Sequence, residues 1–224
     1  MQKTIDIDIE KCCKVAYGFF KDASGIYGDG SGLMEFQKQA ERAVELCTDR
    51  FIPRATYAYY DDFRLHGRTL SMGGVTFTCP AFEQIDPGVV KGVFTYVASA
   101  GDFYFPDLPV VDQVYTDLWG TALTDALREI IHSELEKVVR GTGLSDDFGP
   151  GFYGMDAAQL IDRTGGIDFY GAGVELNASG MMEPVKACAG LLFDVTGGYR
   201  PIGAACQECM GNVISCRLCR MRGQ

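Results

Sequence analysis

An α+β fold with a mainly antiparallel sheet and flanking helices is predicted by three features of the 224-residue chain. Several stretches either alternate apolar and polar residues with period two or run as short β-branched and aromatic segments, the two signatures of strands. Two longer segments, 33–47 and 110–140, instead place apolar residues at three- and four-residue steps, the signature of an amphipathic helix. Strands and helices are segregated rather than alternating as βαβ units, which argues against a wound parallel sheet. A cysteine-rich C-terminal segment stands apart, so the chain divides into a globular domain over 1–198 and a tail over 199–224.

Taken in order, residues 4–10 (TIDIDIE) alternate apolar and acidic side chains and read as a half-exposed strand. A short helix over 11–20 follows, with Val15, Ala16 and Phe19 on one face. The stretch 22–32 is a Gly-, Asp- and Ser-rich loop. Helix 33–47 carries Leu33, Phe36, Ala40, Ala43, Val44 and Cys47 on one face, and Pro53 prevents its continuation. Segments 55–65 and 69–79 are expected as strands around a His66-Gly67 turn. Asp86-Pro87-Gly88 marks a turn or helix start, and 89–100 a buried strand. The helix over 110–140 is the longest element, with a possible break near Gly120 and a basic last turn before Gly141. Residues 156–164 form a short helix capped by Asp156. The stretches 167–170, 174–176 and 189–195 are expected to be extended.

Composition narrows the function class. The formal net charge is −10, which disfavours nucleic acid, because duplex binding needs clustered Lys and Arg to displace counterions. Arg217, Arg220 and Arg222 are the only local basic cluster and read as part of a solvated tail. The N-terminal residues carry no apolar signal-like core, and no apolar run approaches the ~18 residues of a membrane span. A cytoplasmic location with reduced thiols is therefore expected, with neither nucleic acid nor membrane as a partner.

Two constellations carry chemistry. Gly149-Pro150-Gly151-Phe152-Tyr153-Gly154 matches a dinucleotide-binding fingerprint in letters only. No apolar strand precedes it, and Pro150 removes a backbone donor from the supposed phosphate turn. Its glycines would instead let the backbone approach a small ligand, with Phe152 or Tyr153 stacking on a base. The bland alternative is a plain turn before the helix at Asp156. The second constellation is Cys206, Cys209, Cys216 and Cys219, a C-x2-C-x6-C-x2-C array. Two such pairs supply four thiolates to zinc or to an iron–sulfur cluster. The loop of six residues is short for a zinc ribbon and favours a cluster or a small zinc knot. A flexible thiol-rich tail is the alternative. The other five cysteines lack such spacing and read as buried apolar residues. His66, His132 and the Asp146-Asp147 pair form no hydrolase motif, and adjacent loop aspartates are ordinarily solvated.

The order of a Pro-Gly-aromatic loop, a short helix and an S-x-M-M-x-P-x-K turn resembles the activation (reactivation) domain of cobalamin-dependent methionine synthase. The matching residues are Pro150-Gly151-Phe152, Gly173-Val174, Leu176, Ser179, Met181-Met182, Pro184, Lys186 and Gly190, and the 93–136 segment fits the family's layout. The resemblance implies that S-adenosylmethionine is held by Gly149, Pro150, Gly151, Phe152, Tyr153, Ser179, Met181 and Met182. It implies a partner that supplies a corrinoid, either a corrinoid-binding protein or the methionine synthase core, and a flavodoxin- or ferredoxin-type electron donor. A cluster on the tail would be a local electron relay. A non-catalytic metal-binding adaptor for the same partner is the other reading. Three positions depart from the family: Asp147 replaces an Arg, Phe152 a Tyr, and Ala178 a Glu. Loss of an Arg that would face the ligand's carboxylate, with a negative charge in its place at 147, is expected to weaken S-adenosylmethionine binding by a few kcal/mol.

The tail reading is checked by colour and metal content. Protein purified without oxygen is expected to carry a brown thiolate-ligated cluster. Colourless protein containing only zinc contradicts the relay.

Overall fold

The computed structural model describes residues 2–27, 33–156, 158–159 and 167–202. The chain forms β1 (Gln2–Ile5), helices α1 (Ile9–Ser24) and α2 (Met34–Leu46), then β2 (Arg54–Tyr60). A small meander follows: β3 (Phe63–His66), β4 (Thr69–Met72) and β5 (Val75–Thr78). The long strand β6 (Val90–Gly101) leads to the long helix α3 (Val110–Glu136). After it come β7 (Gly143–Leu144), β8 (Glu175–Leu176), β9 (Met182–Glu183) and β10 (Lys186–Val195).

The main sheet has the order β1-β2-β6-β10-β7, and all neighbours are antiparallel. β6 and β10 lie at its centre and are covered on both faces. Phe94, Tyr96, Ala98 and Ala100 point toward the helices, where they join Leu123, Leu127 and Ile131 of α3. Val93, Val97, Leu191 and Phe193 point the other way, toward Phe77, Phe82 and Phe148. Burial on both faces explains why 90–101 reads as a continuous apolar run rather than an alternation. The α+β class and the two long helices follow the sequence expectation. Cys12, Cys47 and Cys79 are buried, and Cys13 and Cys188 half-buried.

Several element boundaries differ from the sequence expectation, each for a local reason. The 4–10 alternation does not persist as a strand. β1 stops at Ile5, and the Asp8 carboxylate accepts the Lys11 N–H at 2.9 Å to start α1. Segments 55–65 and 69–79 each hold two strands. Asp61-Asp62 turns the chain out of the main sheet, and Gly73 and Gly74, at φ 56° and 81°, make the β4–β5 hairpin. Residues 167–170 are not extended, because Phe169 and Tyr170 accept backbone hydrogen bonds from 172–174 and close a turn.

Helix α3 runs unbroken through Gly120. A Cβ there would stand 3.0 Å from Phe103 and 3.1 Å from Lys186, so this glycine serves close packing and not a break. The helix ends at Glu136, one turn before the expected basic end. The Arg140 and Gly141 N–H groups leave the helix axis and donate to the Asp194 carboxylate at 3.0 and 2.7 Å. Residues just past 198 bond to the segment after β7. Tyr199 donates its hydroxyl to Asp146 at 2.6 Å, and the Ile202 N–H donates to the same oxygen at 2.9 Å. Among the described residues no helix is long and apolar enough to cross a membrane.

Asp194 is fully buried and also accepts the Tyr59 hydroxyl at 3.0 Å. Asp194→Ala strands three donors and is expected to lower stability by about 2–4 kcal/mol, read from the urea midpoint. Burial first, and the bond to Asp194 second, push the Tyr59 phenol up to about 12. Its folded pKa lies above the ordinary ~10, so its stabilising contribution is complete below that value. It is lost as pH rises toward 12. Alkaline unfolding of Tyr59→Phe is expected to show a shallower fall over that window.

Candidate ligand-binding cleft

The Gly149–Gly154 stretch is a type II turn resting on β10. Phe148 and Leu191 exchange backbone hydrogen bonds at 2.9 and 2.6 Å, which docks the loop on the strand. The Phe152 N–H donates to Gly149 O at 2.9 Å, with Pro150 and Gly151 as the central residues and Gly151 at φ 84°. Proline first and a left-handed glycine second is what this turn type requires. Gly149 is needed for a different reason: a Cβ there would stand 2.9 Å from Ala189 O. The loop closes through the Gly151 N–H on Met155 O at 2.8 Å. The Gly151 and Phe152 amides are therefore used within the turn.

The two loop aromatics part company. Tyr153 is buried, its ring centroid 4.8 Å from that of Phe148, and its carbonyl accepts the Cys79 thiol at 3.2 Å. It is a core residue that holds the loop. Phe152 is 40 % exposed, and the Arg128 guanidinium lies 4.7 Å from its ring centroid.

Arg128 opens a site that the sequence motifs do not mark. Its Nε and Nη2 donate to Asp147 Oδ2 at 3.1 and 2.7 Å. The Tyr96 hydroxyl donates to the same oxygen at 2.6 Å. Asp147 Oδ1 is buried without a hydrogen-bond partner among the described residues. A Cβ at position 190 would stand 2.5 Å from that oxygen and 2.8 Å from the Tyr96 ring, so Gly190 makes the space in which the pair sits. Burial works against the Arg128 charge, but the Asp147 carboxylate outweighs it and holds the guanidinium pKa above its ordinary value. Burial, reinforced by the Asp147 charge, pushes Tyr96 well above the tyrosine range, so it stays a hydroxyl donor. Burial likewise pushes the Cys188 thiol up to about 12, against the field of Arg128, and keeps it neutral. The negative charge expected to face a ligand at 147 is thus already paired from within the fold.

Arg128 and Asp147 line a cleft of about 590 Å³ along the outer face of α3, together with Phe19, Asp125, Glu129 and His132. Asp125, Arg128, Glu129, His132 and Glu136 recur at helical spacing, a polar stripe opposite the apolar one. That stripe, and an isolated glycine at 190 within a strand pattern, are the sequence signals that could have located the site. His132 lies 3.6 Å from Glu136. Burial, the largest cause, raises the Asp125 pKa against the opposing fields of Arg128 and Lys186. Asp146 points away from the cleft and holds Tyr199, so the adjacent aspartates are neither a catalytic pair nor merely solvated.

Ser179, Met181 and Met182 lie on the β8–β9 hairpin. Asn177 Oδ1 organises its tip, accepting the Ser179 hydroxyl at 2.7 Å and the Ser179 and Met181 N–H groups at 3.0 Å each. Met181 is exposed, and Met182 packs on the second core. Pro184 leads the hairpin into β10, the strand that also carries the 149–154 loop. Lys186, at the start of that strand, bridges to α3 through Asp117 at 2.6 Å and Thr121 at 2.9 Å. Cys206, Cys209, Cys216 and Cys219 lie outside the described residues. Among the described residues no cluster of His, Cys, Asp or Glu is arranged to hold a metal.

No protein-family model and no curated protein sequence matches this chain. Its fold is similar to that in a crystal structure of the MetH reactivation domain bound to AdoHcy. The TM-score is 0.67 at 12 % sequence identity, over 89 % of this chain and 80 % of that one. The fold is therefore that of a reactivation domain, as the mixed helix and antiparallel-sheet expectation required.

The Arg128–Asp147 pair is largely withdrawn from solvent, with side-chain exposures of 25 % and 21 %. Arg128→Ala leaves the carboxylate with Tyr96 alone and is expected to cost about 2–4 kcal/mol in urea unfolding. The double variant with Asp147→Ala is expected to cost less than the sum of the two single changes.

Proposed function

We propose that this domain binds S-adenosylmethionine in the α3 cleft and serves the reductive reactivation of a corrinoid-binding protein, such as the methionine synthase core. The observation that carries the reading is the shared fold with a reactivation domain whose crystal structure holds AdoHcy, joined to a cleft that suits a ligand of that class. A volume of about 590 Å³ is within the ordinary range for small-molecule sites. Asp125 and Glu129 supply carboxylates toward a sulfonium, and the exposed Phe152 ring supplies a face for an adenine. The turn through Gly149, Pro150 and Gly151 fixes that ring at the margin of the cleft. Tyr153 contributes from beneath, by locking the loop.

When bound, S-adenosylmethionine supplies the methyl group that makes reduction of the corrinoid effectively irreversible. The chain's own residues position the ligand and keep its charges paired. The exposed Ser179 and Met181 on the hairpin are assigned to the ligand or partner side of the same surface, and Met182 anchors that hairpin to the core. The tail thiols Cys206, Cys209, Cys216 and Cys219 are assigned to an iron–sulfur cluster or zinc. A cluster there would relay an electron from a flavodoxin- or ferredoxin-type donor.

Calorimetry on protein purified without oxygen tests the reading. Saturable binding of S-adenosylmethionine is expected, and Phe152→Ala is expected to weaken it by about 1–3 kcal/mol through loss of stacking. Absence of binding by correctly folded wild-type protein contradicts the activator role and leaves the metal-binding adaptor.

A further inference from the structure

We infer that a second cleft, between α1 and the end of α2, is a site for a small apolar carboxylate, a ligand with an apolar body and one anionic head. This cleft shares no lining residue with the one along α3, and the inference does not depend on the ligand proposed there.

The first ground is the build of the cleft. It holds about 440 Å³, a volume ordinary for small-molecule sites. Ile9 and Tyr17 of α1, Val44 of α2 and Phe51 supply apolar walls, and Trp119 of α3 lines it with them. Positions 9, 13 and 17 are four residues apart, so α1 presents one continuous ridge to the cleft. Trp119 is only 4 % exposed, and Phe20 meets its ring edge to face at 5.5 Å between centroids. The indole is thus fixed by the core. Ile9, by contrast, is exposed, so apolar surface is open to a ligand without rearrangement of the fold.

The second ground is the polar groups in those walls. Although the chain carries a net charge of −10, no carboxylate lines this cleft among the described residues. Its charged group is the Lys14 ammonium, which is exposed and in no ion pair among the described residues. The Trp119 indole N–H can only donate, and it has no acceptor among the described residues. Burial raises the pKa of the Cys13 thiol, which therefore keeps its proton and adds no negative charge. The Thr48 hydroxyl already donates to Val44 O at 3.5 Å. A cationic ligand would be repelled by Lys14, and a purely apolar one would leave the indole N–H unanswered. A carboxylate supplies acceptors to both donors while its body takes the apolar walls. The cleft along α3, lined by Asp125, Glu129, Glu136 and Asp147, has the opposite electrostatic character, so the two clefts select different ligands.

Trp119 is the only tryptophan in the chain, so fluorescence excited where tyrosine does not absorb reports this cleft directly. The full chain is titrated with three probes that share one body and differ in the head group: phenylbutyrate, phenylbutanol and phenylbutylamine. Phenylbutyrate is expected to give a saturable change with an affinity about tenfold above that of the alcohol, and the amine no saturable change. Lys14→Gln, at an exposed position that costs the fold little, is expected to weaken the acid by about threefold to tenfold and to leave the alcohol within about twofold. Loss of structure would not produce that split. Thr48→Phe, also at an exposed position, is expected to obstruct the cleft and weaken acid and alcohol together. An acid that binds no tighter than the alcohol, or equal loss of both in Lys14→Gln, overturns the inference. So does the absence of saturable binding by any probe. If the fluorescence then shifts with protein concentration and sedimentation shows a dimer, the cleft is instead a contact between two copies of the chain.

Discussion

Asp147 Oδ2 accepts hydrogen bonds from Tyr96 on β6 and from Arg128 on α3. The carboxylate itself sits on the segment between β7 and the 149–154 loop. One atom thereby ties the central sheet, the longest helix and the loop at a single point, in space that only a glycine at 190 leaves open. A carboxylate there without Arg128 would be costly to bury. Arg128 without Asp147 would be a mobile surface cation. Each group offsets the cost of burying the other, and together they leave a fixed, largely buried guanidinium at the wall of a cleft.

The neighbouring residue does the opposite task. Asp146 faces away and holds Tyr199 and Ile202, close before the cysteine-bearing tail. Two adjacent aspartates therefore address two sides of the molecule, the cleft on one and the root of the tail on the other. Below them, Phe148 exchanges hydrogen bonds with Leu191, meets Phe82 and Phe193 edge to face and packs at a tilt on Tyr153. The loop that carries Phe152 is set by the same core that supports the meander, so the exposed Phe152 ring stands on packed aromatic residues.

Much of the architecture was legible because it is written in local periodicity. The helices expected over 33–47 and 110–140, the buried strand expected over 89–100 and the Asp86 turn follow from spacing and from side-chain chemistry; the short helix expected over 156–164 lies mostly outside the described residues. Boundaries failed where a competing hydrogen bond won, locally when Asp8 starts α1 inside an alternating stretch, and over a long sequence distance when Asp194 holds the chain after α3 before its expected basic end. The cleft was only half legible. The Pro-Gly-aromatic turn pointed to the loop, but which of Phe152 and Tyr153 faces outward depends on the core beneath. Arg128 is 19 residues from Asp147 in sequence, and no motif links them. Their meeting is a property of α3 crossing β6 and β10, visible in sequence only as a polar stripe on one helix and a lone glycine in one strand.

The central claim is that the α3 cleft beside Phe152 is an S-adenosylmethionine-class site. A crystal structure of the full chain grown with S-adenosylhomocysteine tests it most directly. The account predicts the adenine against Phe152 and the rest of the ligand in the cleft beside Asp125 and Glu129. A ligand bound elsewhere on the domain, with the cleft holding only solvent, would contradict it.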